Sequence, residues 1–313
     1  MSLIYNPKYL DEFVGNKKAV NLAKNAVDAT KITKNPLSHM LISGNYGLGK
    51  TALGECISAE VTDIIPRITT APALKSIKDI TSLMTSLVDT QVLILDEVHG
   101  LRRDLQELLY EVMQRYRFHF IDSDSGQPIT VQTPKITIIG TTTDEGKLAP
   151  PFLSRFRIKL RLQYYSPVEL QKIIMQAALS HEIVIDSNSA FEIAKRSNGT
   201  ARVALHNLYN VYDYAINQND GVIDLKNANE SLELLGVDEL GLSDDHKVVL
   251  VALHKVYHGK PVGLNTLAQN VAIGPESIEK MIEPYLLYTG LMERTRGGRQ
   301  LTAKGRMLVN KIE

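Results

Sequence analysis

The sequence predicts an α/β fold, in which a mostly parallel sheet with helices on both faces is followed by a largely helical region. Three observations support this class. Short apolar runs alternate with amphipathic stretches through the first half of the chain, as in sheets that are buried on both faces. Helical periodicity then continues from residue 166 to about residue 236. The length of 313 residues exceeds one ordinary hydrophobic core and predicts two or three domains.

Composition indicates a globular protein without a uniformly basic surface. Hydrophobic residues make up 44% of the chain and the formal net charge is +0, so any nucleic-acid contact must come from a local patch. The single cysteine, Cys56, excludes an internal disulfide, and we expect it on the buried face of a helix. No apolar run approaches ~20 residues, and the first residues lack a signal-peptide core. We therefore expect a cytoplasmic protein.

The elements of the predicted sheet can be assigned in chain order. An amphipathic helix with Val20, Ala23, Ala26 and Val27 on one face precedes the first strand. Further helices are predicted from about Lys50 and over 75–88 and 101–116. The apolar runs that predict strands lie at 39–43, 92–96, 136–140 and 158–162.

Two hairpins are predicted outside this alternation. Residues 118–134 contain two alternating stretches around a Ser-Asp-Ser-Gly turn, which indicates a hairpin inserted into the sheet domain. The second hairpin is predicted around Gly297-Gly298, after the two or three helices that begin the segment 241–313.

The segment "GNYGLGKT" at 44–51 has the spacing of a phosphate-binding loop between a strand and a helix. Gly44, Gly47 and Gly49 allow backbone N–H groups to point at phosphate oxygens, and the helix N-terminus adds a partial positive charge. In this arrangement Lys50 contacts the β- and γ-phosphates and the Thr51 hydroxyl is a ligand of Mg²⁺. The segment therefore predicts a nucleotide site.

Two further strand ends predict hydrolysis rather than nucleotide binding alone. The strand in "VLILDEVH" ends in Asp96, which is suited to the Mg²⁺ shell, and in Glu97, which is suited to polarising an attacking water. The strand in "ITIIGTTTDEG" ends in hydroxyls, and either Thr142 or Thr143 is a candidate for orienting that water.

These motifs resemble those of AAA+ ATPases in their order along the chain. The phosphate loop is followed by "LDEVH", "IGTTT", "PFLSRF" and "GTARVALHNL". Together with "LDEFVGN" near the start and "GPESIEKMIEPYLLYTGLMERTRGGRQLT" near the end, they resemble the RuvB family of Holliday-junction branch-migration motors. The resemblance implies an AAA+ large domain over 1–163 with a hairpin insertion at about 118–133, a helical lid over 164–238 and a DNA-binding winged-helix domain over 239–313.

The resemblance also implies the roles of individual residues in ATP hydrolysis. Arg155 matches the arginine finger that reaches the neighbouring subunit's site, with Arg157 as a second arginine in reach, and Arg202 matches the sensor arginine of the lid. The catalytic set is then Lys50, Asp96, Glu97, Thr143, Arg155 and Arg202. The implied cofactors are ATP and Mg²⁺, the latter bound by Thr51 and Asp96. The implied nucleotide-binding residues are Tyr5, Asn6, Gly44, Gly47, Gly49, Lys50, Thr51, Ala52, Tyr165 and Arg202.

For the partners, the resemblance implies a homo-hexamer on branched duplex DNA, a RuvA-like junction-binding protein and a RuvC-like resolvase. Arg294 and Arg299 match the family's DNA-binding wing, and Arg296 is a further candidate. The last 30 residues carry six Lys/Arg and two Glu, which fits sequence-independent contacts with the DNA backbone. The hairpin matches the element that docks RuvA, with Phe118, Phe120 and Ile121 as its apolar contacts.

The sequence departs from the family pattern at several motifs, and two other functions stay open. Asn45-Tyr46 stand where the family usually has two prolines in the phosphate loop, Ala201 replaces a usual proline in the lid motif, and the wing reads "RTRGGR". One alternative is another AAA+ ATPase acting on DNA, such as a clamp-loader-like or initiator protein. The other is a nucleotide switch without turnover.

Overall fold

The computed structural model describes residues 5–121 and 126–312, and the chain divides into two compact units. The sheet unit consists of Asn6–Gly44 and Leu48–Gln163. The helical unit contains the chain from Tyr164 onward, together with Tyr5 and the loop residues Asn45–Gly47. In the part of the chain that is described, no helix is both long enough and apolar enough to cross a membrane.

The sheet unit contains a five-stranded sheet in which every neighbouring pair of strands is parallel. Its spatial order is β2-β3-β6-β1-β7, and a separate antiparallel pair forms the inserted hairpin. Because all five strands run the same way, their carboxyl ends meet at one edge. The strands of this unit are β1 (Met40–Ser43), β2 (Arg67–Thr70), β3 (Val92–Asp96), β4 (Arg117–Ile121), β5 (Pro128–Gln132), β6 (Thr137–Thr142) and β7 (Ile158–Arg161).

Five helices accompany these strands, and the predicted alternation is confirmed. In the first helix Val20, Ala23 and Val27 are buried, whereas Ala26 is half-buried. The third begins at a capping box, in which Ser76 and Asp79 satisfy each other's backbone N–H groups. The helices are α1 (Lys17–Thr33), α2 (Lys50–Val61), α3 (Ile77–Thr85), α4 (Arg103–Arg115) and α5 (Pro150–Arg155).

The core of the sheet unit surrounds its three central strands. The four apolar residues of β3 and all of β1 and β6 are buried, so the central strands cannot move independently of the helices. Cys56 lies on the buried face of α2, as predicted. Burial raises the pKa of its thiol to about 12, which keeps the sulfur protonated and unreactive.

The inserted hairpin is confirmed as the antiparallel pair β4–β5. Apart from Gly126, its predicted Ser-Asp-Ser-Gly turn lies outside the described residues. Phe118 is fully buried in the core of its own unit and stacks on Phe120 at 6.1 Å. The prediction that Phe118 offers apolar contact to a partner is therefore wrong. Ile121 and Ile129 are the large apolar side chains that the hairpin exposes among its described residues.

The first part of the helical unit is a set of four helices with a short parallel strand pair. Each helix begins at a polar side chain that accepts a hydrogen bond from the first turn, at Ser166, Asp186, Thr200 and Asp224. The elements are α6 (Pro167–Ser180), β8 (Val184–Ile185), α7 (Ser187–Lys195), α8 (Ala201–Gln218), β9 (Val222–Ile223) and α9 (Leu225–Leu234).

The C-terminal part of this unit has its own apolar core and ends in the predicted hairpin. Val262 and Arg299 exchange backbone hydrogen bonds, which add the segment before α11 to the edge of the hairpin. Gly298 is required there, because a Cβ would lie 2.1 Å from the carbonyl oxygen of Val262. The elements are α10 (Asp244–Lys255), α11 (Leu264–Val271), α12 (Pro275–Ser277), a π-helical turn (Ile278–Ile282), α13 (Glu283–Tyr288), β10 (Met292–Thr295), β11 (Gly298–Leu301) and α14 (Ala303–Ile312).

Because of the buried ring of His246, we expect the stability of the C-terminal part of the helical unit to depend on pH. Its ring is buried near the start of α10, next to the aromatic ring of Tyr285, and burial lowers its pKa to about 4 although Asp245 and Asp238 oppose the shift. The unfolded chain takes up a proton near pH 6.5, so the stabilisation is complete above that pH and is lost as pH falls toward 4. The full loss is about 3 kcal/mol.

Urea unfolding followed by tyrosine fluorescence between pH 7.5 and pH 4.5 measures this loss. His246→Gln preserves a residue able to cap α10 and removes the titrating ring, so its stability should vary less over the same range. An equal pH dependence in both proteins would contradict the assignment.

Candidate active site

The phosphate loop is shaped by glycines and by the helix that follows it. Gly47 and Gly49 have φ angles of +74° and +85°, the left-handed region that favours glycine. Gly49 caps α2 without a side-chain hydrogen bond, an arrangement that suits anion binding at the helix N-terminus. The Lys50 side chain is only 6% exposed and donates to the Gly44 carbonyl at 3.0 Å. The ammonium group is therefore held against the backbone at the start of the loop.

The acidic strand end is held by the neighbouring strand β6. Asp96 is the last residue of β3, and its carboxylate accepts a hydrogen bond from the Thr141 hydroxyl. The Glu97 backbone N–H donates to the same hydroxyl at 3.3 Å. Glu97 itself has a φ of +52°, an uncommon conformation for a non-glycine residue that is frequent at functional sites. This turn thus places two consecutive carboxylates, those of Asp96 and Glu97, at the carboxyl end of β3.

The Glu97 carboxylate has two ordered neighbours. Thr143 Oγ1 donates to Glu97 Oε2 at 3.3 Å, and His99 Nδ1 lies 3.1 Å from the same oxygen. His99 Nδ1 also lies 3.1 Å from Thr142 Oγ1, on the strand that carries Thr143. Of the two threonines left open by the sequence, Thr143 is the one that contacts Glu97.

Thr51 and Asp96 carry the oxygen groups that magnesium prefers. Thr51, in the first turn of α2, offers a hydroxyl, and Asp96 offers a carboxylate. Among the described residues no group of three or more His, Cys, Asp or Glu side chains could form an all-protein metal cage. Mg²⁺ in ATPases needs none, because water and substrate phosphates complete its octahedral shell.

Arg155 is fixed at the end of α5 by two residues of α4. Its Nη2 donates to Tyr110 Oη at 2.5 Å and to Gln114 Oε1 at 3.0 Å. The guanidinium carbon lies 4.3 Å from the centre of the Tyr110 ring, within cation–π range. Arg157 is exposed and has no hydrogen bond or ion pair in the described chain. In the described chain, Arg155 therefore has side-chain contacts that Arg157 lacks.

The tip of the phosphate loop is bound within the helical unit. Asn45 Nδ2 donates to Tyr164 Oη at 2.9 Å, and the Arg202 N–H donates to the Gly47 carbonyl at 3.1 Å. A Cβ on Gly47 would lie 3.0 Å from the Cβ of Arg202, so the first turn of α8 touches the loop directly. The Arg202 side chain is exposed.

The remaining nucleotide-binding candidates lie on several elements. Tyr165 is buried, and Tyr5 Oη donates to Gln176 at 3.1 Å within the helical unit. Asn6 is exposed and donates to Glu55 at 3.4 Å in the sheet unit. Ala52 follows Thr51 in the first turn of α2. None of these contacts by itself assigns a nucleotide-binding role.

The predicted DNA-binding arginines differ in their surroundings. Arg294 and Arg299 are paired across β10–β11, and both guanidinium groups bind the carboxylate of Glu283, which is fully buried. Arg296, at the tip of the same hairpin, is exposed and has no such partner in the described chain.

Sequence reasoning missed five contacts of this site: Thr141, His99, Tyr110, Gln114 and Glu283. The register between β3 and β6 places Leu95 opposite Gly140, and hence Asp96 next to Thr141, but this register is not visible in the sequence. Of these five residues, His99 had a signal in the sequence, because it is the last residue of the motif "LDEVH".

Comparison with known proteins identifies the family. The model of the Holliday junction DNA helicase RuvB P-loop domain matches residues 5–162. The models of the RuvB AAA lid domain and of the RuvB C-terminal winged helix domain match residues 165–238 and 239–310. The chain belongs to the RuvB family. The sheet unit is therefore an AAA+ fold, and the lid and winged-helix folds predicted for the rest of the chain are confirmed.

Relatives within the RuvB family are similar over nearly the whole chain. The Holliday junction branch migration complex subunit RuvB of Nitratiruptor sp. is 39% identical over 300 residues, which is 95% of this chain and 89% of the relative. The corresponding subunit of Rubrobacter xylanophilus is 38% identical over 299 residues, 95% and 84% of the two chains.

Solved structures agree with this assignment. The Thermotoga maritima RuvB Holliday junction branch migration motor superposes with a TM-score of 0.87 at 33% identity, covering 97% of this chain and 98% of that chain. The Aeropyrum pernix ORC2 protein matches with a TM-score of 0.55 at 16% identity, covering 98% and 95%, which shows a shared fold only.

Proposed function

We propose that this protein is an ATP-driven motor that moves Holliday junctions along duplex DNA during recombination and repair. The observation that carries the proposal is the Glu97 carboxylate, contacted by Thr143 and His99 at the strand end beside Asp96 in a RuvB-family chain. A phosphate loop alone would serve a nucleotide switch equally well. An oriented carboxylate at this strand end is what hydrolysis needs in addition.

ATP binding is assigned to the loop and to the start of α2. Lys50 and the backbone N–H groups after Gly49 neutralise the phosphates, and Thr51 with Asp96 would hold Mg²⁺. A metal ion held there would supply positive charge that stabilises the phosphates during hydrolysis. The pocket for the rest of the nucleotide is assigned, by family resemblance, to Tyr5, Asn6, Ala52 and Tyr165.

Hydrolysis is assigned to Glu97, which would accept a proton from the attacking water as the water approaches the γ-phosphate. The contacts from Thr143 and His99 fix the carboxylate before the water arrives, so little reorganisation is needed during the reaction. Glu97 would take up this proton and then release it to solvent. The products would be ADP and inorganic phosphate.

Two arginines would complete the site by neutralising charge on the transferred phosphoryl group. Arg155 is assigned to the neighbouring subunit's nucleotide in a hexameric ring, and the contacts with Tyr110 and Gln114 support its role by limiting its conformations. Arg202 is assigned to the γ-phosphate of its own subunit, supported by the contact between its backbone and Gly47. The lid angle would then respond to hydrolysis.

Branched duplex DNA is assigned to the winged-helix domain, and a RuvA-like protein to the inserted hairpin. The exposed Ile121 and Ile129 side chains support a docking role, although Phe118 is not available for it. A RuvC-like resolvase is a further proposed partner.

Branch migration of a synthetic four-way junction tests this function directly. The purified chain with ATP and a RuvA protein should convert the junction into two linear duplexes, and ATPase activity should rise when the junction and RuvA are present. Turnover without branch migration would favour another DNA-associated ATPase. Absence of turnover under every condition would favour a nucleotide switch and refute the proposal.

Lys50→Ala should lose most of its affinity for ATP, because the ammonium group is the one side-chain cation that the loop itself supplies. Equilibrium binding of a fluorescent ATP analogue measures the loss, with Lys18→Ala on the exposed face of α1 as a matched control. Equal affinity of the two variants would contradict the role of Lys50.

A further inference from the structure

We propose that Tyr164 and Lys280 position the tip of the phosphate loop, Asn45-Tyr46, through hydrogen bonds to its side chains, and that this positioning strengthens ATP binding. The inference rests on the proposed function, because it assumes that ATP binds to this loop. Neither Tyr164 nor Lys280 is among the nucleotide-binding residues that the family resemblance implies. Both act through the loop rather than on the nucleotide, as positioning residues.

The tip of the loop departs from the family pattern in the stiffness of its backbone. Asn45-Tyr46 stand where the family usually has two prolines. A proline ring fixes φ, so a proline at a compatible position lowers the entropy that is lost when the chain is ordered. Asparagine and tyrosine retain ordinary backbone freedom, and ordering them costs more entropy. Contacts with other parts of the protein must offset that cost if the loop is to keep one shape.

Tyr164 supplies the contact for Asn45. Asn45 Nδ2 donates to Tyr164 Oη at 2.9 Å. The Tyr164 ring is itself fixed by its neighbours: a Cβ on Gly199 would lie 3.1 Å from its Cδ1, and the ring centre of Tyr288 lies 4.3 Å from its own. The edge of a third ring, that of Tyr285, lies at a centroid distance of 6.4 Å. The hydroxyl of Tyr164 is therefore an acceptor with a fixed position.

Lys280 supplies the contact for Tyr46. It lies in the π-helical turn Ile278–Ile282, within the residues that match the winged-helix model. Its ammonium group forms hydrogen bonds with Glu276, four residues earlier, and with the side chain of Tyr46, and both bonds raise the pKa of Lys280. The bond to Glu276 is the larger cause, and it holds the charged group at the place where the Tyr46 hydroxyl can accept from it.

Every residue of the loop tip thus has a contact within the helical unit. Asn45 and Tyr46 are bound through their side chains, and the Gly47 carbonyl accepts from the backbone N–H of Arg202 at 3.1 Å. The chain enters this tip from Gly44 and leaves it at Leu48. Hydrogen bonds from outside the loop therefore take over the ordering that two prolines give to the usual family sequence.

A comparison of two loop backgrounds tests the proposal, with equilibrium binding of a fluorescent ATP analogue to the full chain as the measurement. Tyr164→Phe removes the hydroxyl and keeps the ring, and Lys280→Met removes the ammonium group and keeps the length of the side chain. Each should weaken binding about fivefold in the natural loop, as expected for the loss of one hydrogen bond. In a chain that also carries Asn45→Pro and Tyr46→Pro, each should weaken binding less than about twofold, because the contact is already absent.

A second cycle does not depend on the proline loop. Asn45→Ala should weaken binding as much as Tyr164→Phe does, and the two changes together should cost no more than either one alone, because both remove the same hydrogen bond. Additive losses in this cycle would contradict the contact between Asn45 and Tyr164.

Two matched controls make the same chemical changes elsewhere in the helical unit. Tyr214→Phe removes a hydroxyl that donates to Glu230 at 3.0 Å. Lys226→Met removes an ammonium group that lies 3.9 Å from Glu230, its ion-pair partner four residues along the helix, as Lys280 has Glu276. Both controls should bind the ATP analogue with the affinity of the unmodified chain.

The other outcomes separate this inference from the proposed function. If Tyr164→Phe and Lys280→Met weaken binding equally in both loop backgrounds, these residues act on the nucleotide or on the fold, and the positioning role is overturned. Unchanged affinity of both variants in the natural loop overturns it as well, while the proposed function stands. If the unmodified chain does not bind the ATP analogue, the proposed function itself is refuted, and the inference falls with it.

Discussion

Glu97→Gln should bind ATP with unchanged affinity and hydrolyse it at least about a hundredfold more slowly, within the usual range of 10²–10⁴ for the loss of a general base. The amide keeps the size of the side chain and still offers an oxygen to the Thr143 hydroxyl, but it accepts no proton from water. Steady-state phosphate release measures turnover, and equilibrium binding of a fluorescent ATP analogue measures affinity.

Glu107→Gln is a matched control for this variant, because it makes the same change at an exposed position on α4. It should hydrolyse ATP at the normal rate. Near-normal turnover of Glu97→Gln would contradict the role given to Glu97, and equal slowing of both variants would trace the defect to the loss of charge rather than to the active site.

Arg155→Ala should have the second large effect, a loss of about 10³–10⁵ in kcat with ATP binding retained. If the guanidinium acts on the neighbouring subunit, the defect can be complemented. Mixing Arg155→Ala with Lys50→Ala creates interfaces in which an intact phosphate loop faces an intact arginine. The mixture should therefore recover ATPase activity that neither variant has alone.

Arg157→Ala is the control for the choice between the two arginines. Arg155 is ordered by Tyr110 and Gln114, whereas Arg157 is exposed without such contacts, so Arg157→Ala should retain most of the activity. A silent mixture in the complementation assay would argue against action between subunits. Activity lost only in Arg157→Ala would move the finger to that residue.

Features encoded by consecutive residues were the ones that the sequence could predict. The phosphate loop, the strand that ends in Asp96 and Glu97, and the alternation of strands and helices all depend on local patterns. The parallel sheet, the inserted hairpin and the C-terminal hairpin were accordingly confirmed. The roles of the individual site residues and the bounds of the three domains stay predictions.

Features that join distant segments could not be predicted in this way. Thr141 reaches Asp96 from 45 residues away, and Tyr110 reaches Arg155 across the same separation. Alternation in the hairpin identifies its two faces but not which face is buried, and the family resemblance that places Phe118 on a partner surface carries no information on its burial in this chain. A count of charges in the sequence also misses the ion pair of Arg294, because its partner is the buried carboxylate of Glu283, 11 residues earlier in the chain.

Gly47 has a consequence for how this protein tolerates substitution. Its left-handed backbone conformation and its close approach to Arg202 are separate requirements, and even alanine satisfies neither. A methyl group would push the loop tip away from α8 even if the backbone angle were relaxed. We therefore expect substitutions of Gly47 to be harmful for two independent reasons. One is the backbone angle that the loop requires, and the other is the contact between the loop and α8.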